Sequence, residues 1–327
     1  MANLPRWRYI RNLTILLVLV AGSLLALTRI LASPIHWLWT MPLFYLTYLA
    51  WNAFSFAHPR RLRYWPLRES LFADSGCENV RLTSRDGLPL FAWYLPGNRR
   101  AAIVLAHGLG GSGLLMQGHA EFLREAGYSL LLLDLRAHGR SEGNTSTYGV
   151  LEAHDVAAAV DYLRSRGDID ADKIGVLGLS LGAQAALRGA LQSQAIRALV
   201  LEGLGPADIQ DRLRPMSVRE RGNRLRRLRH KMVYPLALFD QWLFNFFSGQ
   251  RPTPLTIEIG KIAPRPLLLI ACGPREIELN RRFCAAAQAS CVVWELPKAR
   301  HAAGLVNEPE EYPRRVVAFL DDALSRP

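Results

Sequence analysis

Ile174-Gly175-Val176-Leu177-Gly178-Leu179-Ser180-Leu181-Gly182-Ala183-Gln184-Ala185-Ala186-Leu187 decides how the rest of the chain is read. An apolar run breaks at Gly178, presents one serine, breaks again at Gly182 and continues as an alanine-rich helical pattern. This is Gly-x-Ser-x-Gly between a strand and a helix. A serine lifted off a strand end on so sharp a turn takes strained backbone angles, and neighbours without Cβ let strand and helix approach closely. Ser180 then stands at a helix N-terminus, where the dipole and the amide of Leu181 favour negative charge. The bare pattern is weakly specific; its setting carries the weight.

Working outward, residues 101–106 and 129–134 are continuous apolar runs of the kind buried on both faces of a parallel sheet. Helical patterns follow at about 114–126 and 149–166, and further strands are expected at 198–201, 266–271 and 292–296. Before them, residues 80–84 alternate, Arg85-Asp86-Gly87 signals a hairpin turn, and 88–95 reads as the partner strand. Strands alternating with helices argue a doubly wound, mostly parallel α/β sheet over residues 79–327. Between the strands near Glu202 and Pro266 lies an insert of about sixty residues, 204–264, far longer than a plain connection.

The N-terminus is of another kind. Residues 12–32 and 35–56 are apolar stretches that each approach the ~20 residues needed to cross a bilayer. Arg6, Arg8 and Arg11 precede the first, Arg60, Arg61, Arg63 and Arg68 follow the second, and only Arg29 lies between. The positive-inside rule keeps both flanks cytoplasmic. Residues 1–60 are therefore expected to form a transmembrane helical hairpin in an inner or plasma membrane, with 61–78 as linker and the remainder on the cytoplasmic side. The alternatives are a secretory signal cleaved near Ala21-Gly22-Ser23, and a monotopic anchor in one leaflet.

Half of the 327 residues are apolar, so a sizeable core is expected and a disordered or fibrous chain is excluded. The net charge of +12 is concentrated. Between Arg212 and Lys231 nine cations face one acid, Glu220, and the segment carries +8. Together with the helical apolar pattern of Leu236, Phe239, Leu243, Phe246 and Phe247, this reads as a surface for anionic lipid headgroups or as a solvated cap helix. Nucleic acid is not expected, because no recognition module accompanies the charge. Cys77, Cys272, Cys284 and Cys291 show neither Cys-x-x-Cys nor metal-ligand spacing with histidine; all four are read as free thiols.

Three motifs in order give residues 79–324 a resemblance to the α/β-hydrolase superfamily: His107-Gly108-Leu109-Gly110-Gly111 after the third strand, Asp134-Leu135-Arg136-Ala137-His138-Gly139-Arg140-Ser141 after the fourth, and the Ser180 turn. The resemblance implies an α/β-hydrolase fold with a cap insert and a serine hydrolase of the esterase, lipase or thioesterase kind, without metal or cofactor. It implies Ser180 as nucleophile and His301, after the last strand, as base, with Arg300 where the family has glycine. Cys272-Gly273-Pro274-Arg275-Glu276 stands where the family has His-Gly-x-x-Asp, making Glu276 the first candidate for the acid, with Glu278 and Glu202 as alternatives. The backbone N–H groups of Leu109 and Leu181 are the implied oxyanion pair. Asp134, Arg136 and His138, with Glu152 and Asp155, are read as a structural turn network, and His119 as a surface or core-edge residue. The expected substrate is a partly apolar or lipid-like ester or thioester; a peptidase or amidase using the same residues, and a membrane-tethered binding protein with an impaired acid loop, are the alternatives. Oligomeric state is left open.

Overall fold

The computed structural model describes residues 6–32, 37–61, 76–212, 224–287 and 291–325. Its centre is an eight-stranded sheet of β1 (Glu78–Thr83), β2 (Pro89–Leu95), β3 (Ala102–Ala106), β4 (Ser129–Asp134), β5 (Ile174–Leu179), β6 (Ile196–Glu202), β7 (Leu267–Cys272) and β8 (Cys291–Leu296). The spatial order is β1-β2-β4-β3-β5-β6-β7-β8. β2 runs antiparallel to both of its neighbours, and every pair from β4 onward is parallel. This is the α/β-hydrolase fold that the three motifs imply.

The apolar runs explain why the central strands are interior. Alternate residues of β4 serve opposite faces: Leu131 and Leu133 join one core layer, Leu130 and Leu132 the other. β3 divides in the same way, with Val104 on the first layer and Ile103 and Leu105 on the second. A strand with a core on each face has no place for a polar side chain, and each of these leucines contributes roughly 2 kcal/mol by leaving water. Helices α3 (Gln117–Glu125), α4 (Glu152–Ser165), α5 (Leu181–Gln192) and α11 (Glu311–Ser325) cover the two faces. The insert after β6 contains α6 (Ile209–Arg212), α7 (Arg224–Ser248) and α8 (Leu255–Glu258); α9 (Gly273–Ala287) follows β7, and the short α10 (Gly304–Asn307) follows β8.

The N-terminal stretch forms α1 (Arg6–Ala32) and α2 (Trp37–Ala57). Among the described residues one helix, Trp7–Arg29, is long and apolar enough to cross a membrane. The two helices touch through Ser23 Oγ and Thr47 Oγ1, 2.7 Å apart. A third apolar cluster joins Leu16 of α1 and Leu49, Ala50, Ala53 and Ala57 of α2 to Leu243, Phe244 and Phe247 of α7. The seam is fastened by polar contacts. Asn12 Nδ2 donates to the Phe247 carbonyl at 3.2 Å, and the Ser146 amide donates to the Ala57 carbonyl at 2.8 Å. His58 Nδ1 donates to the Asn144 carbonyl at 2.6 Å, and Arg61 donates to the carbonyls of Ser141 and Gly143, both at 2.6 Å. The end of α2 is thus bonded directly to the loop that follows β4. The expected linker, 61–78, falls largely on residues 62–75, outside the described residues.

Two sequence expectations are corrected. Cys284 and Cys291 form a disulfide that joins α9 to β8, their Cα atoms 5.4 Å apart, and only Cys77 and Cys272 are free thiols. Their spacing matches no motif; the pairing arises because the chain doubles back between the two elements. The inward face of α7 also differs from the expected stripe. Leu243, Phe244 and Phe247 are buried, whereas Leu236 and Trp242 are exposed. Apolar residues lie nearly all round the later part of this helix, 233–247, so periodicity has no single face to choose there and contact with α2 makes the choice.

Candidate active site

Ser180 sits between the last residue of β5 and the first of α5, with φ at 53°. A non-glycine residue in that region is strained, and it is held there by its surroundings. The Ser180 amide donates to the Glu202 carbonyl at 2.8 Å, tying the turn to β6. A Cβ on Gly182 would lie 2.0 Å from the Ala106 carbonyl oxygen, so the helix can start this close to β3 only with glycine there.

His301 occupies the turn after β8, with its Nε2 2.8 Å from Ser180 Oγ. Its Nδ1 lies 2.5 Å from Glu276 Oε1. A carboxylate only accepts, so Nδ1 carries the proton and Nε2 is left to accept from the serine hydroxyl. The hydrogen bond to Glu276 raises the imidazole pKa above its ordinary value, with burial opposing it and the charges of Glu276 and Glu202 adding to the effect. Arg300 in place of glycine is not called on for a positive φ: the left-handed residue of this turn is Ala302, with φ at 50°. Gly203 is a residue that the sequence reading missed. Its φ is 64° and a Cβ there would lie 2.9 Å from His301 Cε1, so the imidazole rests against a backbone that admits no side chain.

The three carboxylate candidates separate cleanly. β7 runs straight into α9, which puts Glu276 in the first helical turn, where its second oxygen accepts the Cys272 amide at 3.0 Å. That back-bond fixes the carboxylate in the manner of a capping box. Glu278 is exposed, two residues and so about 200° further round the same helix. Glu202 is buried, its oxygens accepting the Gly304 amide at 2.7 Å and the Tyr312 hydroxyl at 2.6 Å. Only Glu276 meets His301.

Leu109 and Leu181 both line a cavity of about 60 Å³ that opens on Ser180. Leu181 is the first residue of α5, where a helix leaves its amides without intrahelical acceptors. The rest of the wall was not legible in sequence: Phe56 from α2, Tyr148 from the loop after β4, and Phe244 from α7, with Ser146 and Gln184 between them. The one local signal was Tyr148 before Gly149, both with positive φ.

The Asp134 motif is a buried scaffold. Asp134 accepts the amides of Gly113 at 2.6 Å and Arg140 at 2.7 Å, which holds the two glycine-rich turns together, and burial pushes its pKa up to about 6. Arg136 bonds Asp155 and Asp86. His107 accepts the Leu135 amide at Nε2, so its Nδ1 donates to the Gly108 carbonyl, and burial lowers its pKa to about 3. Glu152 accepts the amides of Thr147 and Gly149, supporting the loop that carries Tyr148. His119, expected at the surface or core edge, is buried against Tyr312, and burial lowers its pKa to about 4. Of the cationic segment, Arg212 is spent internally, on Asp240 at 2.6 Å and the Tyr148 hydroxyl at 3.4 Å. Residues 213–223 lie outside the described residues.

A strained serine bonded to an imidazole, itself bonded to a carboxylate, is an arrangement able to transfer acyl groups. The profile of the Alpha/beta hydrolase family matches residues 103–319, and the chain belongs to that family. Among curated relatives it is 33% identical over 114 residues to the uncharacterized protein YfhR of Salmonella typhimurium, covering 32% of this chain and 37% of that one. It is 32% identical over 130 residues to the alpha/beta hydrolase domain-containing protein WAV2 of Arabidopsis thaliana, covering 38% and 42%. The matches thus span about a third to a half of those relatives' length. Among solved structures the esterase Pf2001 of Pyrococcus furiosus superposes with a TM-score of 0.62 at 27% identity, over 82% of this chain and 98% of that one. An esterase from Exiguobacterium antarcticum shares the fold alone, with a TM-score of 0.54 at 16% identity over 75% and 100%.

Proposed function

We propose that this protein is a membrane-anchored serine hydrolase that cleaves carboxylic esters or thioesters of partly apolar substrates through an acyl-enzyme. The observation that carries the reading is the continuous Glu276, His301, Ser180 relay at 2.5 and 2.8 Å on a strained strand-to-helix turn. In this reading His301 Nε2 takes the hydroxyl proton as Ser180 Oγ attacks the carbonyl carbon, and Glu276 stabilises the imidazolium that forms. The Leu109 and Leu181 amides bind the oxyanion, His301 returns the proton to the leaving alcohol or thiol, and water repeats the sequence to free the acid. That Pf2001 of Pyrococcus furiosus is an esterase supports the bond type. The Glu276 contact weighs against a binding protein with an impaired acid loop.

A fluorophosphonate probe tests the reading: wild type is labelled and Ser180→Ala is not. Equal labelling of both, or none of wild type, ends it. Turnover of nitrophenyl esters against the matching anilides separates esterase from amidase.

The same proposal keeps α1 and α2 in an inner or plasma membrane as a hairpin, with the catalytic domain on the cytoplasmic face. Supporting this are the arginine flanks and the apolar residues left exposed on neighbouring elements, including Leu17, Val18 and Leu25 of α1, Tyr48 of α2, and Leu238 and Trp242 of α7. A C-terminal reporter active in the cytoplasm supports that side. One active outside, with an oxidised Cys284–Cys291 pair, reverses it, since disulfides persist in oxidising compartments.

A further inference from the structure

The cavity on Ser180 is closed by three aromatic side chains from three separate parts of the chain. Phe244 of α7 is 3% exposed, and its ring centroid lies 4.0 Å from that of Tyr148. The Tyr148 ring lies in turn 6.3 Å from Phe56 of α2. Tyr148 and Phe244 are held in place, and the backbone beside Phe56 is tied down. Tyr148 has φ at 51°, its carbonyl accepts from Arg188, and its hydroxyl accepts from Arg212. Phe244 is packed in the α2–α7 seam, and Phe56 precedes the Ala57 carbonyl that accepts the Ser146 amide. Phe56 is 43% exposed, which puts it at the rim, whereas Phe244 forms the interior wall.

The space they leave is small. At roughly 10–15 Å³ for each water-sized group, a cavity of about 60 Å³ admits about four to six such groups beyond the reacting carbon. Its wall is mostly apolar, and the two non-aromatic apolar lining residues, Leu109 and Leu181, are those whose amides face the carbonyl in the proposed reaction. An acyl chain seated in this apolar cavity would leave the alcohol or thiol outside it.

We infer that Phe56 of the N-terminal helix, with Tyr148 and Phe244, caps the acyl cavity and restricts the substrate to short acyl groups of no more than about six carbons. The N-terminal segment is on this view a specificity element of the active site as well as an anchor. The inference rests on the ester-hydrolase reading of Ser180 and deepens it: a lipid-like substrate would carry its long chain on the leaving group.

The test uses the full-length protein in detergent or nanodiscs, with nitrophenyl acetate, butyrate and octanoate. Wild type favours acetate or butyrate over octanoate. Phe56→Ala, at a rim position where truncation costs the fold little, raises the octanoate-to-acetate ratio of kcat/KM by about tenfold or more, each newly housed methylene being worth about fourfold. Phe56→Trp lowers the butyrate-to-acetate ratio. Fluorophosphonate labelling of Ser180 in all three proteins shows that each is folded with a competent serine. A wild-type preference for octanoate, or an unchanged acyl profile in labelled Phe56→Ala, overturns the inference and leaves the hydrolase reading standing. Absence of labelling in wild type takes down both.

Discussion

The groups proposed to react and the wall that faces them are built on opposite principles. Ser180, His301 and Glu276 sit at the ends of β5, β8 and β7, where backbone geometry fixes them: a left-handed serine, a helix start that cannot tolerate a Cβ at Gly182, a carboxylate bonded back to its own strand. The wall is built from side chains on α2, α7 and a loop, held by apolar contact and a few bonds to carbonyls. The first region has little freedom to change without losing the reaction. The second can be recut one side chain at a time, which is why the acyl selectivity inferred above is assigned to it.

The sharpest way to break the contrast is at the serine. Ser180→Ala is expected to lower kcat by about 10⁴-fold or more with the fold intact, measured as ester turnover beside circular dichroism. Gly182→Val is expected to remove activity by the other route. Its side chain would meet the Ala106 carbonyl, so soluble yield and thermal stability fall along with turnover. Glu276→Gln sharpens the comparison by sparing the framework. We expect kcat to fall by about 10⁴-fold. The glutamate also raises the pKa of His301, and in the proposed mechanism His301 works as the neutral base, so wild-type kcat/KM is expected to fall as pH drops through that raised value. Without the carboxylate the acid limb moves to lower pH while the plateau sinks. A pH–rate profile in which the limb stays put would mean that some other group sets it. The smallest effect belongs to the wall's fastenings. Asn12→Ala removes the bond to the Phe247 carbonyl and is expected to cost about 1 kcal/mol, read as a drop of about 2 °C in Tm with Ser180 labelling retained.

Much of the first region was legible from residue order. Glycines at Gly178 and Gly182 around one serine demand a turn that only a strand-to-helix junction makes, and continuous apolar runs such as Leu130 to Leu133 demand a strand buried on both faces. The choice among Glu276, Glu278 and Glu202 was not legible, because it depends on β7 passing into a helix without the loop that the family pattern suggests. Gly203 was missed because its reason for being glycine is an imidazole about a hundred residues away. The Cys284–Cys291 pair was missed because no spacing rule encodes the return of α9 on β8.

Periodicity, turn residues and motif order are local properties, written in the relation of each residue to its near neighbours, and from them the sheet, the serine turn and the histidine could be read. The cavity is another matter. Phe56, Tyr148 and Phe244 lie far apart in sequence and each looks like an ordinary apolar residue in its own segment. Only the packing of α2 and α7 against the loop after β4 brings the three rings together beside Ser180. Burial of apolar surface has no direction of its own, so the sequence states that these rings are to be covered, and tertiary structure decides what they cover.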